Sequence, residues 1–232
     1  MKKIIKNILN SIGIDIKLYR KAIRPLDFLK SYNINTVFDV GANVGQFAEE
    51  IREYLPNAKI YSFEPVKSVY EKLLDNRKSD NLWEGFNSAL GETKGSAEIN
   101  VSPYSPSSSL LPKTELLNEA FPHTKGTTKE LTQVYTIDSI ANTINCSSEI
   151  LIKLDVQGFE DKVIKGGHNI FSKAKIVLIE TSFFQIYEGQ PLFDDIYKLL
   201  TNLGFKYHGS FNIKRHPHTY EILFEDSIFI RK

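Results

Sequence analysis

The chain has 232 residues, 41% hydrophobic and 25% charged, with a net charge of +1. That composition fits a globular protein with one sizeable core, and the near-neutral balance argues against a polyanion-binding surface, so no nucleic-acid partner is expected. A single cysteine, Cys146, excludes an intramolecular disulfide or a multi-cysteine metal cluster and suits a reducing, cytoplasmic compartment.

The charge is uneven. Residues 1–24 carry seven Lys/Arg against one acid, Asp15, which leaves the remainder net acidic. Ile4, Ile5, Ile8, Leu9 and Ile12 recur at helical spacing, so residues 2–12 read as a short basic amphipathic helix within an N-terminal segment, 1–30. Such a helix either packs on the domain or makes a weak membrane-surface contact through residues 2–20, at the inner membrane face. No run approaches the roughly 20 apolar residues that span a bilayer.

From residue 26 onward, short apolar runs alternate with helical patterns. "TVFDV" (36–40) is a buried strand and 44–55 a helix. "AKIYSFEP" (58–65) is a strand, and 66–77 a helix with Pro65 as its start signal. Further strands are expected within 82–90 and at 96–102. Residues 103–131 have four prolines and many hydroxyls, and read as a long, mostly irregular insertion able to act as a lid. Strand 149–156, a helix around 159–170, strand 174–181 and helix 191–203 follow, and two strands near 205–212 and 225–232 close the chain. This order predicts a single-domain α/β fold over 31–232: a doubly wound, mostly parallel sheet with an antiparallel terminal strand.

Ligands bind such sheets beyond the carboxyl ends of the strands. There the chain reads Asp39-Val-Gly41-Ala-Asn43-Val-Gly45, and Glu64 ends the next strand. A glycine turn followed by an acid able to accept both ribose hydroxyls indicates an adenosine-containing cofactor. Asn43 stands where the dinucleotide fingerprint requires its second glycine, and no G-K-[ST] follows, which disfavours NAD and excludes a P-loop. Asp39 would repel a pyrophosphate but suits a cationic ligand, and S-adenosylmethionine meets that description.

"FDVGANVGQF", "YSFEP", "NSALGETKGSAEINV", "TIDSI", "LIKLDVQGFEDKVIKGG" and "VLIETSF…YEGQPLFDDIYKLLTNLGF" occur in order. Together they resemble the FkbM family of S-adenosylmethionine-dependent methyltransferases over roughly residues 36–206. The resemblance implies the class I methyltransferase fold, a Rossmann-like seven-stranded sheet. It also implies that Asp39, Gly41, Asn43 and Gly45 surround the methionine part of the cofactor, that Glu64 holds the ribose, that Asn87, Ser88 and Ala89 meet the adenine edge, and that Asp155 lies near the methyl group and acceptor. The family often has Glu where this chain has Gln157, so no charge-dependent role is assigned there. Its acceptors are natural-product and carbohydrate hydroxyls, which makes O-methylation of a sugar or another small molecule the leading expectation. N-methylation and a non-catalytic cofactor-binding α/β protein are the alternatives.

A hydroxyl acceptor needs a base. Asp155 is the first candidate, with helix capping as its structural alternative. Glu180, which ends a strand, and His123, in the insertion, are the others. Asp155, Glu160 and Glu180 could converge on Mg²⁺, but carboxylates without a defined ligand spacing point more to capping by Glu160 and acceptor positioning by Glu180, and no metal ligands are assigned. His216 and His218 lack a third zinc ligand at a recognisable spacing.

Overall fold

The computed structural model describes residues 24–144, 146 and 149–231, and the expected basic helix of residues 2–12 lies outside them, as does the whole of the expected membrane contact through residues 2–20. Strand β1 (Thr36–Val40) is buried along its whole length and pairs in parallel with β2 (Lys59–Phe63) on one side and β7 (Ile150–Leu154) on the other. Its β-branched and aromatic residues face apolar layers on both sides, the pattern of a central parallel strand. β3 (Trp83–Phe86) extends the sheet beyond β2, and β8 (Ala174–Ser182) extends it beyond β7. The terminal strands β9 (Phe205–Arg215) and β10 (Ile222–Arg231) form an antiparallel hairpin, with β10 inserted between β8 and β9. The sheet order is β3-β2-β1-β7-β8-β10-β9, so the seven-stranded sheet with an antiparallel terminal strand is observed as expected.

Two apolar layers sandwich this sheet. One contains Phe38, Phe63, Leu154, Val163, Phe171 and Phe229, and the other Leu26, Leu29, Val37, Ile51, Ile60 and Leu178. Leu26 and Leu29 are 1% and 0% exposed, so the domain's packing begins ahead of β1, with the single-turn helix Asp27–Ser31.

Several elements differ from the sequence expectations. The strand expected at 96–102 leaves the main sheet. As β5 (Gly95–Val101) it joins β4 (Ala89–Leu90) and β6 (Thr128–Tyr135) in a second, three-stranded sheet. The irregular insertion therefore ends at residue 127, and it holds helix α3 (Glu115–Ala120). It is folded around the Lys113 ammonium, which donates to Ser102 Oγ at 2.8 Å and to the Thr124 carbonyl. At its base Asn100 and Ser109 exchange backbone hydrogen bonds at 2.8 and 3.1 Å.

Helix α1 (Gln46–Arg52) and helix α2 (Lys67–Arg77) follow β1 and β2. A short helix, α4 (Ile137–Ala141), follows β6. The helix expected around 159–170 is two helices, α5 (Glu160–Lys165) and α6 (His168–Lys173). The break falls at Gly166 and Gly167, and position 166 admits no side chain, because a Cβ there would lie 2.0 Å from the Gly91 carbonyl oxygen. Asp138 then caps the second helix by accepting the amides of Asn169 and Ile170 at 3.0 and 2.9 Å. Helix α7 (Phe193–Asn202) packs beside the terminal hairpin. Among the described residues, no helix is long and apolar enough to cross a membrane.

If residues ahead of β1 belong to the folded unit, Leu29→Ala should lower the unfolding free energy by about 2–5 kcal/mol in urea titrations. Leu131→Ala, at a side chain 68% exposed, should change it by less than about 0.5 kcal/mol.

Candidate functional site

Parallel register aligns the carboxyl ends of β1, β2 and β7, because Val40 is level with both Phe63 and Leu154. The chain then turns at Gly41, φ 80°, whose amide bonds to the Phe63 carbonyl at 3.0 Å. A Cβ there would lie 1.8 Å from the Asp155 carbonyl oxygen, so only glycine lets the turn after β1 pass over the end of β7.

Glu64 ties this turn to the next. Its Oε2 accepts the Asn43 amide at 3.0 Å and its Oε1 the Val66 amide at 2.8 Å. Burial pushes its carboxyl up to about 7 although both amides favour the charged form. Glu160 repeats the arrangement after β7. Its Oε1 accepts the Val156 and Gly158 amides at 3.0 and 3.3 Å, and burial pushes it up to about 7 as well.

Two clefts open along this edge. The first encloses about 620 Å³ and is lined by Gly41, Asn43, Glu64, Ser88, Ala89 and Asp155, with Ser105 to Leu110 of the insertion opposite. Ser88 Oγ, on a residue 3% exposed, has no hydrogen-bond partner among the described residues. The second encloses about 980 Å³ between Phe47, Tyr104, Lys153, Glu180, Phe211 and Asp226. The clefts share Gly41, Asn43, Pro106 and Asp155. Asn43 holds the insertion there, its Nδ2 donating to Ser105 Oγ at 3.1 Å.

Lys153, which the sequence reading passed over, lies under the junction. Its ammonium donates to the Gly41 carbonyl at 2.8 Å and sits 3.6 Å from Asp39 and 3.4 Å from Asp155. Burial disfavours its charge, but the two carboxylates outweigh that and hold it above the ordinary lysine value. A charged residue inside the apolar run "ILIKL" was the available signal. Gln157, at φ 56°, was likewise given no part. Its Nε2 donates to Asp155 Oδ1 at 2.5 Å and to Glu180 Oε1 at 3.1 Å, and its Oε1 accepts the Tyr187 hydroxyl at 2.8 Å.

Of the expected site residues, Gly41, Asn43, Glu64, Ser88, Ala89 and Asp155 line the first cleft, and Glu180 lines the second. Asp39 is fully buried beneath them, accepting from Ser62 Oγ at 3.1 Å, and lines neither cleft. A strand's side chains alternate faces, and Asp39 stands one residue before the strand's end, below the open edge. Gly45 opens α1 and packs toward Leu73 rather than toward a cleft. Asn87 points back, its Nδ2 donating to the carbonyls of Glu64 and Pro65 at 2.9 and 3.1 Å. His123 is exposed in a turn, stacked edge-on against Tyr104 at 4.9 Å, and lines neither cleft. Asp155, Glu160 and Glu180 do not converge as a ligand set, because Glu160 is turned to backbone amides. Among the described residues no group of three or more His, Cys, Asp or Glu side chains could hold a metal ion.

The raised Glu64 carboxyl has a consequence for stability. The unfolded chain releases this proton near pH 4.5, and the folded chain holds it to about 7. The folded state binds more protons between these values, so stability falls as pH rises through that window. Chemical denaturation of the ligand-free protein across pH 4–8 should show this decline, and Glu64→Gln should remove part of it, with Glu160 accounting for a similar share.

Comparison with known proteins bears on what these clefts serve. A relative from Sinorhizobium fredii, 2-O-methyltransferase NoeI, is 26% identical over 162 residues, which span 66% of this chain and just under two thirds of that protein. The fibrillarin pre-rRNA processing protein of Methanococcus jannaschii superposes with a TM-score of 0.49 at 10% identity, over 90% of this chain and 70% of that one. An rRNA methylase from Streptococcus thermophilus superposes with a TM-score of 0.47 at 9% identity, over 91% and 99%. The model of the methyltransferase FkbM domain matches residues 39–207, from the buried acid of β1 into β9, and this chain belongs to the FkbM methyltransferase family.

Proposed function

We propose that the protein transfers a methyl group from S-adenosylmethionine to a hydroxyl of a small molecule or glycan, with a sugar hydroxyl as the leading acceptor. The observation that carries this reading is the junction of two clefts at Gly41 and Asp155, one suited to an adenosine and the other to a polar acceptor.

The first cleft offers groups suited to the cofactor. Each Glu64 oxygen that accepts a backbone amide keeps a further lone pair for a ribose hydroxyl. The unpartnered Ser88 Oγ is available to the adenine edge. Gly41 and Asn43 carry the site toward the junction, and Ser105, Pro106, Ser108, Ser109 and Leu110 line it from the insertion, which supports a lid role for residues 103–127. When bound, S-adenosylmethionine supplies an electrophilic methyl group on a cationic sulfonium. The protein's task is then to orient the acceptor and remove its proton.

Asp155 and Glu180 are the candidates for taking the proton. Both line the second cleft, together with the aromatic side chains Phe47, Tyr104 and Phe211. Such a mixture of carboxylates and aromatic surface suits a polyhydroxylated acceptor with one apolar face. The S. fredii relative is a 2-O-methyltransferase, which is consistent with hydroxyl chemistry. Asp39 acts indirectly, by holding Lys153 charged beneath the Gly41 turn.

Isothermal titration with S-adenosylmethionine, S-adenosylhomocysteine and NAD tests the cofactor. Micromolar binding of the two sulfur ligands, lost in Glu64→Ala, is expected, and binding of NAD alone would overturn the reading. In a radiolabelled methyl-transfer screen over monosaccharides and glycan fragments, Asp155→Asn should lower kcat by about 10²-fold or more while cofactor binding survives. Undiminished turnover in that variant would remove Asp155 from proton transfer.

A further inference from the structure

The carboxylates of Asp155 and Glu180 are joined through one side chain. Gln157 spends both of its amide protons on them, one on Asp155 Oδ1 at 2.5 Å and one on Glu180 Oε1 at 3.1 Å. Its orientation is fixed from the other end, because the Tyr187 hydroxyl donates to Gln157 Oε1 at 2.8 Å. Tyr187 is itself fully buried, so the amide is oriented by a side chain with little freedom.

The backbone around Gln157 is held as firmly. A non-glycine residue at φ 56° requires support from its surroundings. Ser109 Oγ donates to the Gln157 carbonyl at 2.6 Å, while Glu160 takes the amides of Val156 and Gly158 on either side. Three separate elements thus converge to aim one amide group: the insertion through Ser109, α5 through Glu160, and the segment after β8 through Tyr187.

We propose that Gln157 is a positioning residue that makes Asp155 and Glu180 a single proton-accepting pair at the junction of the two clefts. The inference rests on the methyltransferase reading of that junction, since a proton acceptor is needed there only if a hydroxyl reacts. In that reaction an O–CH3 bond would form as the S–CH3 bond of the sulfonium breaks, the electron pair staying on the departing thioether, and the acceptor oxygen gives up its proton to one carboxylate of the pair. The other carboxylate stays charged, and the amide bond to each limits their movement as the charge changes.

The electrostatic setting shows what the amide does in this chain. Glu180 faces Lys153 from β7, Asp155 just after that strand, Glu160 from α5, Asp226 from β10 and Tyr187 from the segment after β8. Burial raises the Glu180 carboxyl well above its ordinary value, and the carboxylates of Asp155, Glu160 and Asp226 raise it further against the single opposing charge of Lys153. Asp226 lies directly across the strand pair from Glu180. Donation by Gln157 opposes this by favouring the charged form. A carboxylate or an apolar group at position 157 would remove that opposition.

The test is a titration that needs no acceptor. The full chain is prepared with glutamate carrying carbon-13 in its side-chain carboxyl, and the Glu180 resonance is assigned by its absence in Glu180→Gln. In Gln157→Asn, a residue that tolerates positive φ but is one methylene too short to span both carboxylates, the Glu180 midpoint should rise by about one pH unit, the worth of one hydrogen bond to a charged group. Tyr187→Phe, which keeps the packing and removes the orienting hydroxyl, should move it in the same direction by less. Midpoints unchanged in both variants would overturn the proposal, as would a fall in either. Binding of S-adenosylmethionine to the wild-type chain is measured in the same preparation. Failure of that binding with a shifted Glu180 midpoint would sink the methyltransferase reading while leaving the amide's control of the pair established.

Discussion

The ammonium of Lys153 is the contact on which the organisation of this edge of the sheet depends. It lies among the carboxylates of Asp39 and Asp155 and the carbonyl of Gly41, which belong to neighbouring strands and to the turn between β1 and α1. An unpaired carboxylate at the fully buried Asp39 would be costly, and an unpaired ammonium at Lys153 equally so. Each is tolerated because of the other. The ion pair thereby pins the Gly41 turn against the end of β7, where a backbone contact closer than any Cβ permits is already required.

From that pinned junction the two clefts diverge, and the same kind of bond shapes both. Buried carboxylates accept backbone amides in the turns after β2 and β7: Glu64 draws in Asn43 and Val66, and Glu160 draws in Val156 and Gly158. These bonds fix loop backbone that would otherwise leave amide groups unsatisfied in a partly buried edge. The insertion is fastened to the same loops through Ser105 on Asn43 and Ser109 on Gln157. Short side chains thus anchor the insertion to two of the loops at this edge.

Much of the fold was readable because it follows from local rules. The buried run "TVFDV", the Gly41 turn and the Glu64 terminus mark a strand–turn–helix–strand unit by burial pattern and turn chemistry alone. The six family blocks led to the same seven-stranded sheet. The strand at 96–102 was recognised, but its departure into a second sheet was not, because pairing partners are set by long-range contacts and not by propensity. The break between α5 and α6 was missed for a similar reason. Glycines 166 and 167 were visible, but the Gly91 carbonyl that forbids a side chain at 166 is 75 positions away.

The candidate site divides along the same line. The sequence by itself determined which residue types end the strands, and so the glycine turn, the acids at 39, 64, 155 and 180, and the adenosine chemistry they suit, because strand ends and turns are written in neighbouring residues. Only the tertiary structure decided which of these line a cleft. It put Asp39 beneath the edge with Lys153, turned Asn87 and Glu160 to backbone, left His123 on the surface, and brought Gln157 between two carboxylates. Hydrogen-bond partnership depends on distances across strands and loops far apart in the chain, and no pattern along the chain records them.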